Sequence, residues 1–135
     1  MEFMFSPDTQ VLIADDMLTM RKLVTKSLKD LGFTKFIEAK DGAEAWEKLS
    51  TAPTPVGLVL SDWNMPNSSG LDFLRRVRAD ARFKTLPFLL ITAEAEKTQI
   101  VEAIKAGVSN YVVKPFTTDT LKEKITAVYN KLYGG

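Results

Sequence analysis

A chain of 135 residues with 45% hydrophobic content and a formal charge of +1 has enough apolar material for one core. It has no excess of positive charge with which to track a nucleic-acid backbone or an anionic membrane. Cysteine and histidine are both absent, which excludes disulfides, thiolate metal sites and any nucleophile triad built on an imidazole. Chemistry in this chain has to use carboxylates, lysine, hydroxyls or a borrowed group.

The opening MEFMFSPDT carries an acid where a leader would carry basic residues, and no long apolar run follows it. The expectation is a cytoplasmic protein without signal peptide or spanning helix. Residues 1–9 read as a short N-terminal extension, and 10–135 as one domain.

From there the chain alternates. Short apolar runs at 11–14, 36–39, 57–61, 88–91 and 111–113 are bounded by polar or turn residues and read as strands. Helical spacing lies between and after them: Met20, Leu23, Val24, Leu28 and Leu31; then Leu71, Leu74 and Val77; then Ile100, Ala103 and Ile104; finally Leu121, Ile125, Val128 and Leu132. Gly32 is placed to close the first helix. The loops are short, at 51–55, 64–70 and 114–116, and no internal repeat interrupts the pattern.

Five strands alternating with five helices predict an α/β fold: a single doubly wound, five-stranded parallel sheet with helices on both faces. The first and third strands are apolar through most of their length, as burial on both faces requires. Ligands of such sheets bind beyond the carboxyl ends of the strands, where the strand order reverses. The residues found there are Asp15 and Asp16 after the first strand, Asp62 after the third, Thr92 after the fourth and Lys114 after the fifth.

Singly, each has an ordinary explanation. Asp15 and Asp16 read equally well as acids favouring a helix N-terminus. Asp62 could turn the chain before Pro66, Thr92 could cap the next helix, and Lys114 could be a solvated turn lysine beside Pro115. Together they are harder to dismiss. Three converging carboxylates raise one another's pKa values unless a cation sits among them. Magnesium suits one or two carboxylates, a carbonyl and a phosphoryl oxygen. Lys114 and Thr92 would then meet phosphoryl oxygens, and an aspartate beside the ion can attack phosphorus.

The stretches DDMLTMRKLV, SDWNMPNSSGLD, LITAEAEK and YVVKPFT make the chain, over about 10–133, resemble the receiver domains of bacterial response regulators, with the chemotaxis regulators most similar among them. The resemblance implies the flavodoxin-like strand order 2-1-3-4-5. It implies that Asp62 is the phosphoacceptor, that Asp16, Asp62 and the Asn64 carbonyl bind magnesium directly, and that Asp15 holds the ion through water. It implies that Lys114 senses the phosphoryl group, that Thr92 and Tyr111 form the switch, and that Asn64 and Glu94 modulate hydrolysis.

The implied partner face is built from the fourth helix, fifth strand and fifth helix, and includes Ile100, Val108, Tyr111 and Lys124. Read without the resemblance, Tyr111 is an ordinary aromatic at a strand start, and Asn64 and Glu94 are polar loop residues. Trp63 reads as an exposed loop aromatic.

The implied function is that of a phosphorylation-dependent signalling switch rather than an enzyme. The phosphodonor would be a histidine kinase or phosphotransfer protein, and the partner the flagellar motor switch or another target. A phosphatase is a further partner of that class. A monomer is expected, with no nucleic-acid or membrane partner. The pattern departs from the family at Ser68, Ser69 and Gly70, where Met-Asp-Gly is frequent, and at Asn110, where close chemotaxis relatives commonly have glycine. Ser69 reads as a cap for the helix that follows.

The chain closes on NKLYGG directly after the fifth helical pattern, which sets the expectation of no output domain. A magnesium-dependent phosphohydrolase of the aspartyl-phosphate type is disfavoured, because its second aspartate would fall at Asn64. A flavin carrier of the same topology should be rich in serine, threonine and glycine after the first strand, where this chain has DDMLTM. No GxxxxGK[ST] loop is present.

Overall fold

The computed structural model describes residues 5–93 and 97–133. Its elements run β1 (Gln10–Ala14), α1 (Leu18–Asp30), β2 (Lys35–Ala39), α2 (Gly42–Thr51), β3 (Val56–Asp62), α3 (Gly70–Ala79), β4 (Phe88–Thr92), α4 (Lys97–Lys105), β5 (Asn110–Val113) and α5 (Thr118–Tyr133). All strand pairs are parallel and the order is β2-β1-β3-β4-β5. The doubly wound α/β sheet expected from the alternation is therefore the fold found. Each strand is one or two residues longer than its apolar run, because pairing continues into polar residues at the ends.

Sheet position explains the composition of each strand. In β4 every residue is buried, and so is almost all of β1 and β3, whereas the edge strands β2 and β5 keep residues at the surface. Alternation divides the core in two. Val11, Ile13, Leu58, Leu60, Leu89, Ile91 and Val112 pack with Val24, Leu28, Leu121, Ile125 and Val128 of α1 and α5. On the other face Leu12, Ala14, Val59, Phe88 and Leu90 pack with Ala45, Leu49, Leu74, Val77 and Ala103 of α2, α3 and α4.

Some helical expectations need correction. Leu23 is 48% exposed and Ile104 62% exposed, so neither belongs to its helix's core face; Leu132 is also at the surface. The inward stripe of α1 runs instead through Val24, Ser27 and Leu28. The extension at 1–9 is not merely appended either. Phe5 is buried in the α1/α5 core, edge-on to Tyr129 with ring centroids 4.9 Å apart, at the edge opposite the strand carboxyl ends.

Helix ends follow local chemistry. Gly32, at φ 106°, donates its N–H to the Lys29 carbonyl while the next N–H, of Phe33, reaches Leu28, so the left-handed residue closes α1 as expected. Ser69 caps α3 by accepting from the Asp72 N–H at 3.1 Å. Asp41 does the same for α2 through the Glu44 N–H at 2.7 Å.

Gly70 ties α3 to the end of β3. Its N–H donates to the Trp63 carbonyl at 2.9 Å, and a Cβ there would stand 2.1 Å from the Asp62 carbonyl oxygen. No side chain fits without moving the backbone of Asp62. Gly70→Ala should therefore destabilise the protein by about 3 kcal/mol, at the upper end for overpacking, as measured by the shift in urea midpoint.

Candidate functional site

The parallel register delivers the predicted residues to one edge. Ala14 lies opposite Ser61, Asp62 opposite Ile91, and Thr92 opposite Val113, so Asp15, Asp62, Thr92 and Lys114 end neighbouring strands or follow them directly. Lys114 is held in line by its own N–H, which donates to the Thr92 carbonyl at 2.8 Å; its peptide bond to Pro115 is cis.

Carboxylate oxygens of Asp15, Asp16 and Asp62 all lie within 4.8 Å of one another. Asp15 and Asp62 are buried, at 2% and 7% exposure, while Asp16 faces solvent. Lys114 Nζ stands 3.1 Å from Asp62 Oδ1 and 3.7 Å from Asp15 Oδ2. The Trp63 N–H donates to the same Asp62 Oδ1 at 3.0 Å. Both close contacts of the Asp62 carboxylate thus fall on one oxygen, and the other takes no hydrogen bond among the described residues.

The acids at 15 and 16 do not cap α1. The residue at its cap is Met17, without a side-chain hydrogen bond, and the first turn carries no acid. Asp15 Oδ1 instead accepts from the Met17 N–H at 2.9 Å, while Asp15 Oδ2 is buried with no hydrogen-bond partner. Thr92 is a buried residue at the end of β4. A capping role for the acids at 15 and 16 thereby falls away.

Burial raises the pKa of Asp62 first of all. The hydrogen bond and charge of Lys114 and the Trp63 N–H oppose it, and the Asp16 charge adds to it. Asp15 is likewise raised, chiefly by burial; the Met17 N–H and Lys114 oppose this, and the Asp62 and Asp16 charges reinforce it. One ammonium cannot balance three carboxylates.

A hard divalent cation fits the donor set, and the observation that favours it is the buried Asp15 Oδ2, which has the Lys114 charge at 3.7 Å but no hydrogen bond: a cation-bound water would supply the missing donor.

Other predicted residues lie elsewhere. Asn64 is exposed in the loop after β3. Glu94 lies outside the described residues. Tyr111 is half-buried on β5 with Lys124 Nζ 5.1 Å from its ring centroid. Val108 and Tyr111 line one cleft of about 540 Å³ with the exposed Ile104; Ile100 is half-buried on α4 and is not among its lining residues. Trp63 is half-buried against the α2/α3 side of the core rather than exposed.

Two neighbours of the site escaped sequence reasoning. Asn67, at φ 66°, reaches the Asp41 carboxylate at 3.1 Å and fastens the loop after β3 to α2. Arg21 reaches the Asp15 carbonyl at 2.7 Å. The first joins residues 26 apart in the chain, and the second, six residues apart, ends on a backbone carbonyl, which no residue type announces.

The family model described as response regulator receiver domain matches residues 11–126. The chemotaxis protein CheY of Pseudomonas aeruginosa is 49% identical over 125 residues, covering 93% of this chain and 99% of that one. CheY-3 of Vibrio cholerae is 46% identical over 132 residues, covering 98% and 100%. Among solved structures, the chemotaxis response regulator CheY4 of Vibrio cholerae superposes with a TM-score of 0.81 at 32% identity, covering 90% of this chain and 98% of that one.

A raised carboxyl pKa means that the folded state holds its proton more tightly than the unfolded state. The contribution of the Asp15–Asp62 pair to cation-free stability is therefore greatest below the ordinary Asp value of 3.8 and falls as pH rises from there through the pair's raised range. In chelator at neutral pH, Asp62→Asn should be more stable than the parent by on the order of 1 kcal/mol. The difference should shrink as pH falls toward 4, and urea midpoints across that range measure it.

Proposed function

Since the chain belongs to the response regulator receiver domain family, we propose that it is a single-domain signalling switch of a two-component relay that accepts a phosphoryl group on Asp62 in a magnesium-dependent reaction. The observation that carries this reading is Asp62 itself: a buried carboxylate at the switch-point edge, with one oxygen held by Lys114 at 3.1 Å and two further acids alongside. The chain spans 99% and 100% of the two chemotaxis relatives above, which supports one receiver domain over 10–135.

The donor is a histidine kinase or phosphotransfer protein carrying an N-phosphohistidine, since this chain has no histidine of its own. The unengaged Asp62 oxygen attacks phosphorus. As the new P–O bond forms the P–N bond breaks, and its electron pair returns to the imidazole, which leaves neutral when its ring arrives protonated. Asp16, Asp62 and the Asn64 carbonyl would hold the magnesium directly, with Asp15 behind a water. When bound, the ion supplies charge neutralisation to the carboxylate and the phosphoryl oxygens.

Lys114 meets the phosphoryl oxygens as a point charge, and the Thr92 hydroxyl donates to another. Slow hydrolysis by water ends the signal, with Asn64 and Glu94 setting its rate. No turnover of an external substrate is part of this reading.

Output is a population shift. Phosphoryl charge draws Thr92 inward, and Tyr111, now half-buried, fills the space released. The face containing Ile100, Val108, Tyr111 and Lys124 then changes its affinity for a partner. The naming of the relatives as chemotaxis proteins supports the flagellar motor switch as that partner.

Incubation with acetyl phosphate should add one phosphoryl group, mapped by mass spectrometry to Asp62, only when magnesium is present, and Asp62→Asn should take up none. Failure of the parent to label under conditions that label another receiver would remove the acceptor assignment.

A further inference from the structure

The turn that presents Asp15 and Asp16 is held locally by the Met17 N–H on Asp15 Oδ1 and by the Asp15 N–H on the Ala39 carbonyl, but α1 adds no side-chain cap to it. Met17 at the start of α1 makes no side-chain capping bond, and the first turn has no acid. A guanidinium one turn into the helix takes that place. Arg21 Nη1 donates to the Asp15 carbonyl at 2.7 Å, and its Nε donates to Glu38 Oε1 of β2 at 2.9 Å. Arg21 is largely shielded, its side chain 16% exposed, while Glu38 is 46% exposed.

The carbonyl that Arg21 grips belongs to the Asp15–Asp16 peptide bond. Fixing that oxygen fixes the peptide plane, and so the direction in which the Asp16 side chain leaves the backbone. Asp16 is the exposed member of the acidic trio and has no hydrogen bond or ion pair of its own among the described residues. Arg21 touches no carboxylate of the trio, so it can orient the turn without occupying an oxygen that a cation needs. Its planar fork holds donors on two separate nitrogens in a fixed geometry toward the two acceptors, which the rotating point charge of a lysine ammonium does not reproduce.

We propose that Arg21, anchored by Glu38, is a positioning residue that sets the Asp15–Asp16 turn for divalent-cation binding. The inference rests on the reading of the acidic pocket as a cation site.

The test uses the full chain with Trp46→Phe, so that Trp63 beside Asp62 is the one remaining indole of the two, and titrates magnesium chloride by its emission. Arg21→Ala should raise the half-saturating magnesium by about 10-fold, the lower bound for loss of a group that orients a metal ligand. The rate of labelling by acetyl phosphate should fall at low magnesium and be largely restored by excess. Arg21→Lys should fail to rescue the midpoint. Glu38→Ala should shift it less, and the double variant should match Arg21→Ala alone, because the pair acts as one unit.

Phe5→Ala weakens the aromatic cluster at the far edge of the sheet and controls for stability: it should lower the melting temperature and leave the magnesium midpoint where it was. A parent that shows saturable magnesium binding and an Arg21→Ala midpoint that does not move would overturn the inference alone, as would full rescue by lysine or additive effects of the two substitutions. A parent with no saturable response, in emission or in thermal stabilisation, would overturn the cation site and the inference together.

Discussion

Gathering carboxylate oxygens of Asp15, Asp16 and Asp62 within 4.8 Å, with two of the three carboxyls out of water, costs free energy that the rest of the fold must supply. The interior strands β1, β3 and β4 supply it, being almost entirely buried and anchoring helices on both faces. Lys114 offsets part of the repulsion and leaves the remainder in place. In the proposed function, that residual charge is what makes the edge receptive to a cation and, through it, to a phosphoryl group. Well-paired acids would be more stable and less useful.

The same edge connects to the surface through short covalent and hydrogen-bonded links. Thr92 closes β4, its carbonyl holds the Lys114 N–H, and β4 pairs with β5 through Leu90 opposite Tyr111. In the proposed switch, a change at Thr92 therefore has only one strand pair to cross before it reaches Tyr111 and the Lys124 ammonium over its ring. Tyr111 is half-buried, neither locked in the core nor fully in solvent, which is the condition for two rotamer positions of comparable free energy. Loop anchoring complements this. Asn67 on Asp41 and the Ser68 carbonyl on the Gly42 N–H hold the loop after β3 against α2, so motion on the Asp62 side is restrained.

Much of this was legible in the sequence for reasons that can be named. Strand cores at 11–14, 57–61 and 88–91 are runs of apolar residues because both faces of an interior parallel strand are covered. The residue following each run was therefore readable as a site candidate, and Asp15, Asp62, Thr92 and Lys114 do meet at one edge. Gly32 and Ser69 announced helix ends through chemistry that acts within a few residues. Periodicity was less reliable at helix margins: Leu23 and Ile104 keep the spacing of a core stripe yet face water, because a stripe's width does not say which flank the sheet covers. Phe5 sat in an apparent extension because its partners Phe33, Tyr129 and Tyr133 are far along the chain.

The sequence by itself determined the class of fold, the alternation that sends five strand ends to one edge, and the identity of the acids, lysine and threonine found there. These follow from interactions of short range in the chain: backbone pairing, side-chain period and the turn chemistry of a few residues. Tertiary structure alone decided the protonation bias of Asp15 and Asp62, which comes from burial, and the lack of a hydrogen bond to Asp15 Oδ2. It also decided the grip of Glu38 on Arg21. Those depend on distances between segments that only packing brings together, and a linear pattern of residue types carries no measure of such distances.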